Sequence, residues 1–135
     1  MLSILLLLIN PAFASDYDAR LVRVIDGDTL VAEVDVWPRL TATVSIRLRG
    51  VQAPELGGRA GSACEREAAQ AARQFVVSNL PARFRVNSVE EGTYPGRIIA
   101  DVLIDGVSLS YLLLTHGHAV PYDGRGRGRA PAWEC

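Results

Sequence analysis

The feature that most constrains this chain is a succession of short runs in which apolar and polar side chains alternate with period two. In the clearest run, Val44, Ile46 and Leu48 point one way, and Thr43, Ser45, Arg47 and Arg49 point the other. That pattern belongs to a strand with one face on a core. Arg20 to Asp26 alternates in the same way and meets Asp26-Gly27, a strong turn dipeptide. Asp28 to Val36 follows, with Leu30, Ala32, Val34 and Val36 on one face, and Trp37-Pro38 separates it from a third strand at Thr41 to Arg49. The strands are too short for a large open sheet, and consecutive runs this close pair antiparallel.

A helix interrupts the strands. Ser62-x-x-Glu65 is a capping box, in which the serine oxygen accepts an orphan N–H and the glutamate reaches back to the cap. Ala68, Ala72, Phe75 and Val76 follow at helical spacing, and Pro81 prevents continuation. Two more strands are predicted at Arg83 to Val89 and Arg97 to Ile104, then a second helix from Leu109 to His116 closed by Gly117. The order β-β-β-α-β-β-α predicts a mainly β protein, a five-stranded Greek-key barrel of the OB type with helices.

Length allows one domain, at residues 15–122, between a leader at 1–14 and an irregular Gly/Arg-rich tail at 123–135. Leu2 to Ile9 is almost wholly apolar, Asn10-Pro11 breaks it, and Ala12-Phe13-Ala14 is a small-x-small cleavage pattern. The expectation is a signal peptide cleaved after Ala14 and a periplasmic or secreted protein with no membrane attachment afterwards. No Lys or Arg precedes the apolar run, which is too short to span a bilayer. In an exported chain the two cysteines, Cys64 and Cys135, suggest a disulfide closing a long loop, worth about 4 kcal/mol by chain entropy. The formal net charge is −1, and every basic residue is Arg. That balance argues against a tight, non-specific nucleic-acid binder. It leaves room for an enzyme that combines phosphate-binding arginines with acids.

Four positions carry candidate chemistry. Asp28 falls on the core face at a strand end, where a carboxylate must be paired, hydrogen-bonded or metal-bound. An Asx turn with Thr29 is the bland account of it. Arg47 and Arg97 both begin apolar strand interiors at a barrel rim, and Arg97 follows the turn Tyr94-Pro95-Gly96. Glu55 lies in a loop stiffened by Pro54. Two guanidiniums with an acid to activate water suit phosphodiester hydrolysis, with a hard cation to neutralise the phosphate. His116 and His118 lack partners at zinc spacing and read as structural. Arg125, Arg127 and Arg129 read as a solvated tail.

Taken together, Val24-Ile25-Asp26-Gly27-Asp28-Thr29, Arg47-Leu48-x-Gly50-Val51-x-Ala53-Pro54-Glu55 and Tyr94-x-Gly96-Arg97 resemble the thermonuclease (staphylococcal nuclease-like) family in order and spacing. The resemblance covers roughly Arg20 to Tyr122. It implies an OB-type barrel and calcium-dependent hydrolysis of DNA and RNA at the bond to the 5′ oxygen. By position, Asp28 would be the first calcium carboxylate and Ala53 would offer its carbonyl to the metal. Arg47 and Arg97 would hold the phosphate, and Glu55 would act as general base. Tyr94 and Tyr122 would contact the nucleotide by stacking.

One position departs from the pattern. Gln52 stands where the family has its second calcium aspartate. An amide oxygen can ligate calcium but brings no charge. The leading expectation is an exported, monomeric, calcium-dependent endonuclease. The alternatives are an OB module that binds nucleic acid or a partner without catalysis, and a structural envelope domain held by the disulfide.

Overall fold

A computed structural model describes residues 15–124 and Trp133. The strands are β1 (Tyr17–Asp26), β2 (Thr29–Trp37), β3 (Leu40–Leu48), β4 (Val51–Gln52), β5 (Arg83–Glu91), β6 (Arg97–Ile104), β7 (Val107–Ser108) and β8 (Val120–Pro121). The helices are α1 (Ala63–Asn79) and α2 (Leu109–Thr115), with a short 3-10 turn at Gly57–Arg59. Neighbouring strands run in the order β3-β2-β1-β5-β6-β7, and β3 also pairs with β6. That last pairing closes five strands into the expected OB-like barrel.

Closure is parallel, with Ser45 opposite Arg97, Ile46 opposite Ile98, Arg47 opposite Ile99 and Leu48 opposite Ala100. The Ser45 N–H donates to the Gly96 carbonyl at 2.9 Å and the Arg49 N–H to the Ala100 carbonyl at 3.0 Å. Alternation then does what it promised. Leu30, Ala32, Val34, Ile46, Leu48, Val86, Ala100 and Val102 fill the interior, with Leu109 and Leu113 of α2 and Val76 of α1 completing the core. Val36, placed on that face by alternation, is exposed near the hairpin end beside Trp37.

Helix α1 starts where the serine predicts, since Ser62 Oγ accepts from the Glu65 N–H at 3.1 Å. The return half of the capping box is different. The Glu65 carboxylate accepts from the backbone N–H groups of Gly61 at 2.5 Å and Glu55 at 3.2 Å, so the helix start also holds the loop after β4. Its buried face is Ala69, Ala72 and Val76. Small residues here let backbones approach closely: a Cβ on Gly27 would fall 2.8 Å from the Cβ atoms of both Ala53 and Ala72. The β1–β2 turn, the loop at Ala53 and α1 therefore meet with no room for a side chain.

The two-residue strands β4 and β8 escape periodicity because no alternation can show in two residues. They pair antiparallel, with Val51 opposite Pro121 and Gln52 opposite Val120. The Tyr122 N–H donates to the Gly50 carbonyl at 2.9 Å, which ties the chain after α2 to the end of β3. Cys64 lies in the first turn of α1, but Cys135, its expected partner, lies outside the described residues, as do the leader at 1–14 and Arg125, Arg127 and Arg129.

Candidate phosphate-binding cleft

A cleft of about 220 Å³ opens at one rim of the barrel, lined by the β1–β2 turn, β3, β4 and its loop, and the entry to β6. Asp26, Asp28, Arg47, Gln52, Glu55 and Arg97 all face it. The parallel β3–β6 closure is what joins residues fifty positions apart, because it sets the start of β6 against the stretch of β3 that carries Arg47.

Asp28 is buried, 5% exposed, and every part of its carboxylate is engaged. Thr29 Oγ1 donates to Oδ1 at 2.9 Å, and the Ala53 N–H donates to Oδ2 at 2.8 Å. Arg47 Nη1 lies 3.2 Å from the same Oδ2. That contact is ionic, and this buried Nη1 has no hydrogen-bond acceptor among the described residues. A buried charge without such partners would be strongly unfavourable. The Asx-type bond to backbone comes from the preceding acid instead: Asp26 Oδ1 accepts the Asp28 N–H at 3.0 Å. Burial, and after it the neighbouring negative charge of Asp28, pushes the Asp26 carboxyl up to about 7.

Gln52 is the hub. Its side chain is buried, 8% exposed, and its Oε1 accepts from Arg47 Nη2 at 2.8 Å. Its Nε2 donates to the Ala53 carbonyl at 3.0 Å and to Glu55 Oε1 at 3.0 Å. Chemistry dictates this orientation, because a guanidinium can only donate and a carbonyl can only accept. The side chain therefore links Arg47 to Glu55, the candidate base, in one chain of hydrogen bonds.

Arg97 approaches from the other side. Its guanidinium stands 5.4 Å from the centre of the Tyr94 ring, and Nη1 donates to the Tyr94 hydroxyl at 3.4 Å. Tyr94 itself is 53% exposed, so it presents a ring face to solvent beside the cleft. Tyr122 lies with its ring 5.8 Å from the Arg47 guanidinium, held there by the β4–β8 pairing. Both tyrosines thus flank the arginines. Arg49 shares the strand face of Arg47 but goes elsewhere: it pairs with Glu90 at 2.8 Å, approaches Asp101 at 3.9 Å, and donates to the Ser88 carbonyl. His116 and His118 both pack against Phe75, at 4.9 and 4.7 Å between ring centres, and neither lines the cleft.

The residues expected to hold calcium are Asp28, Gln52 and Ala53. Among the described residues no group of three or more His, Cys, Asp or Glu is placed to hold a metal. Gln52 directs its N–H₂ group, not its oxygen, at the Ala53 carbonyl and at Glu55. A cation bound between those oxygens would meet two N–H donors. In this arrangement the donor set does not fit calcium.

Sequence reasoning missed Glu65 as a part of the site. Its carboxylate fixes the backbone of Glu55, and only the contact reveals it, since a capping glutamate looks the same wherever the helix lies. No family model matches the chain, and no curated protein matches it.

Proposed function

We propose that the cleft binds a phosphodiester of DNA or RNA between Arg47 and Arg97 and hydrolyses it with water activated by Glu55. The observation that carries this reading is the convergence of the two arginines, from β3 and from the start of β6, on one cleft that also holds Glu55. The ordered resemblance to thermonucleases supports it, and residues 1–14 suggest that the protein acts in the periplasm or outside the cell.

Guanidiniums bind phosphate oxygens in bidentate fashion and stabilise the charge that grows on them as phosphorus becomes five-coordinate. Glu55 Oε1 accepts from Gln52, which leaves Oε2 to take a proton from the attacking water. The water oxygen forms the new bond to phosphorus. The P–O bond to the leaving 5′ oxygen breaks, and that oxygen takes a proton from solvent, giving a phosphomonoester and an alcohol. The exposed ring of Tyr94 offers a stacking face for an adjoining base. Calcium assistance, which the resemblance implies, requires Gln52 to release both the Ala53 carbonyl and Glu55.

The neutral amide of Gln52 favours a second reading, a nucleic-acid-binding module without catalysis. Hydrolysis of single-stranded DNA and RNA by the full chain, with calcium and with chelator, separates the two. A working base predicts that Glu55→Gln lowers the rate at least about 100-fold. Tight binding with no cleavage under any condition would leave the binding module standing, and neither binding nor cleavage would refute both.

A further inference from the structure

We infer that Gln52 is a positioning residue that takes the place of a cation: its amide joins Arg47 to Glu55, so that the cleft is organised without a divalent metal. The inference concerns the same cleft, but its cation arm does not depend on hydrolysis.

A divalent cation in the cleft would draw on the oxygens of Asp28 and Glu55, which line it, and on the Ala53 carbonyl behind Gln52. All of these but Glu55 Oε2 already have a donor. Asp28 Oδ1 has the Thr29 hydroxyl, and Oδ2 has the Ala53 N–H and the Arg47 charge. The Ala53 carbonyl and Glu55 Oε1 share the two N–H bonds of Gln52 Nε2. For Gln52 to present its oxygen to a metal, the amide must turn. Turning would set Nε2 against the Arg47 guanidinium and Oε1 against a carbonyl and a carboxylate. Both new pairings are repulsive, and the side chain is buried in a strand that β8 holds in register. The orientation seen is therefore the stable one, and it supplies hydrogens to oxygens that a cation would otherwise neutralise.

Charge points the same way. Asp28 and Glu55 formally balance Arg47 and Arg97, Asp26 lines the cleft as a third acid, and Gln52 adds no charge. With an amide at position 52, a phosphodiester entering this cleft meets the two guanidiniums without a fourth carboxylate to repel it. An aspartate at position 52 would add that negative charge and remove both N–H donors. The Ala53 carbonyl and Glu55 would then lack a partner, and a cation would be needed to hold them together. Residue 52 thus decides whether the site is built around a metal or around an amide.

The test is a calcium titration of the full chain and of Gln52→Asp, read by isothermal calorimetry and by thermal unfolding against a sodium chloride control of matched ionic strength. The wild type is expected to show no saturable heat and no calcium-specific rise in Tm. Gln52→Asp is expected to gain both, with a Kd on the order of 10⁻⁴ to 10⁻³ M. If Gln52→Asp does not fold, Gln52→Glu, isosteric with glutamine, takes its place. Saturable calcium binding by the wild type overturns the inference. So does failure of the folded carboxylate variant to bind calcium, since the amide would then not be what keeps the cation out. Nucleic-acid cleavage measured alongside is expected to resist chelator in the wild type and to depend on calcium in the variant. If neither protein cleaves nucleic acid, the hydrolytic function fails while the titration still decides the role of Gln52.

Discussion

Asp26→Asn tests the electrostatics of the cleft through stability alone. The Asp26 carboxyl is pushed up to about 7 from an ordinary value of 3.8, first by burial and then by the charge of Asp28. The folded protein therefore binds a proton that the unfolded chain releases between about pH 4 and about pH 7, and folding stability falls as pH rises through that window. Taken in full, this interval corresponds to about 4 kcal/mol. Asp26 keeps some exposure and shares its repulsion with Asp28, so the recoverable part is about 1–2 kcal/mol. Asparagine removes the charge and keeps an oxygen to accept the Asp28 N–H. The variant should match the wild type near pH 4, gain on it through neutrality, and melt about 5–10 °C higher at about pH 8.5. The assay is thermal unfolding by circular dichroism across a pH series. An equal difference in Tm at both ends of the series would refute the reasoning, because the effect would then not come from titration.

Two further substitutions, and a third as control, probe how the cleft is held. Arg47→Ala removes the cation beside buried Asp28 and the donor to Gln52 Oε1; urea unfolding should show a loss of about 3–5 kcal/mol, and a loss below about 1 kcal/mol would mean that Asp28 is not held as a buried ion. Gly27→Ala places a methyl 2.8 Å from the Cβ atoms of Ala53 and Ala72. It should cost about 1–3 kcal/mol, whereas Gly58→Ala, which meets nothing within 4 Å, should stay within about 0.5 kcal/mol.

The packing around Gly27 explains why stability and the site are coupled. The loop at Ala53 can donate its N–H to Asp28 only because the β1–β2 turn carries no side chain at Gly27 and α1 presents Ala72. Glu65 then ties the helix start to Glu55. A helix placed between the third and fifth strands therefore serves the cleft as a backing plate. Mutations on its buried face should reach the cleft without touching it.

Period-two alternation in β1, β2, β3 and β6, the serine cap of α1 and Pro81 determined the elements and their order by local chemistry alone. So did the choice of Asp28, Arg47, Glu55 and Arg97 as residues that a plain barrel does not require. What the sequence could not contain was the partner of each atom. The parallel pairing of β3 with β6 joins distant segments and decides that Arg47 and Arg97 share a cleft while Arg49, on the same strand face, turns to Glu90 and Asp101. Residues in the two-residue strands β4 and β8 carry no periodic signal, yet their pairing fixes the backbone of Gln52 and sets Tyr122 beside Arg47. Read as a letter, glutamine at position 52 is a weakened metal ligand. Only its tertiary neighbours, a guanidinium that must donate and a carbonyl that must accept, determine which end of the amide faces the site.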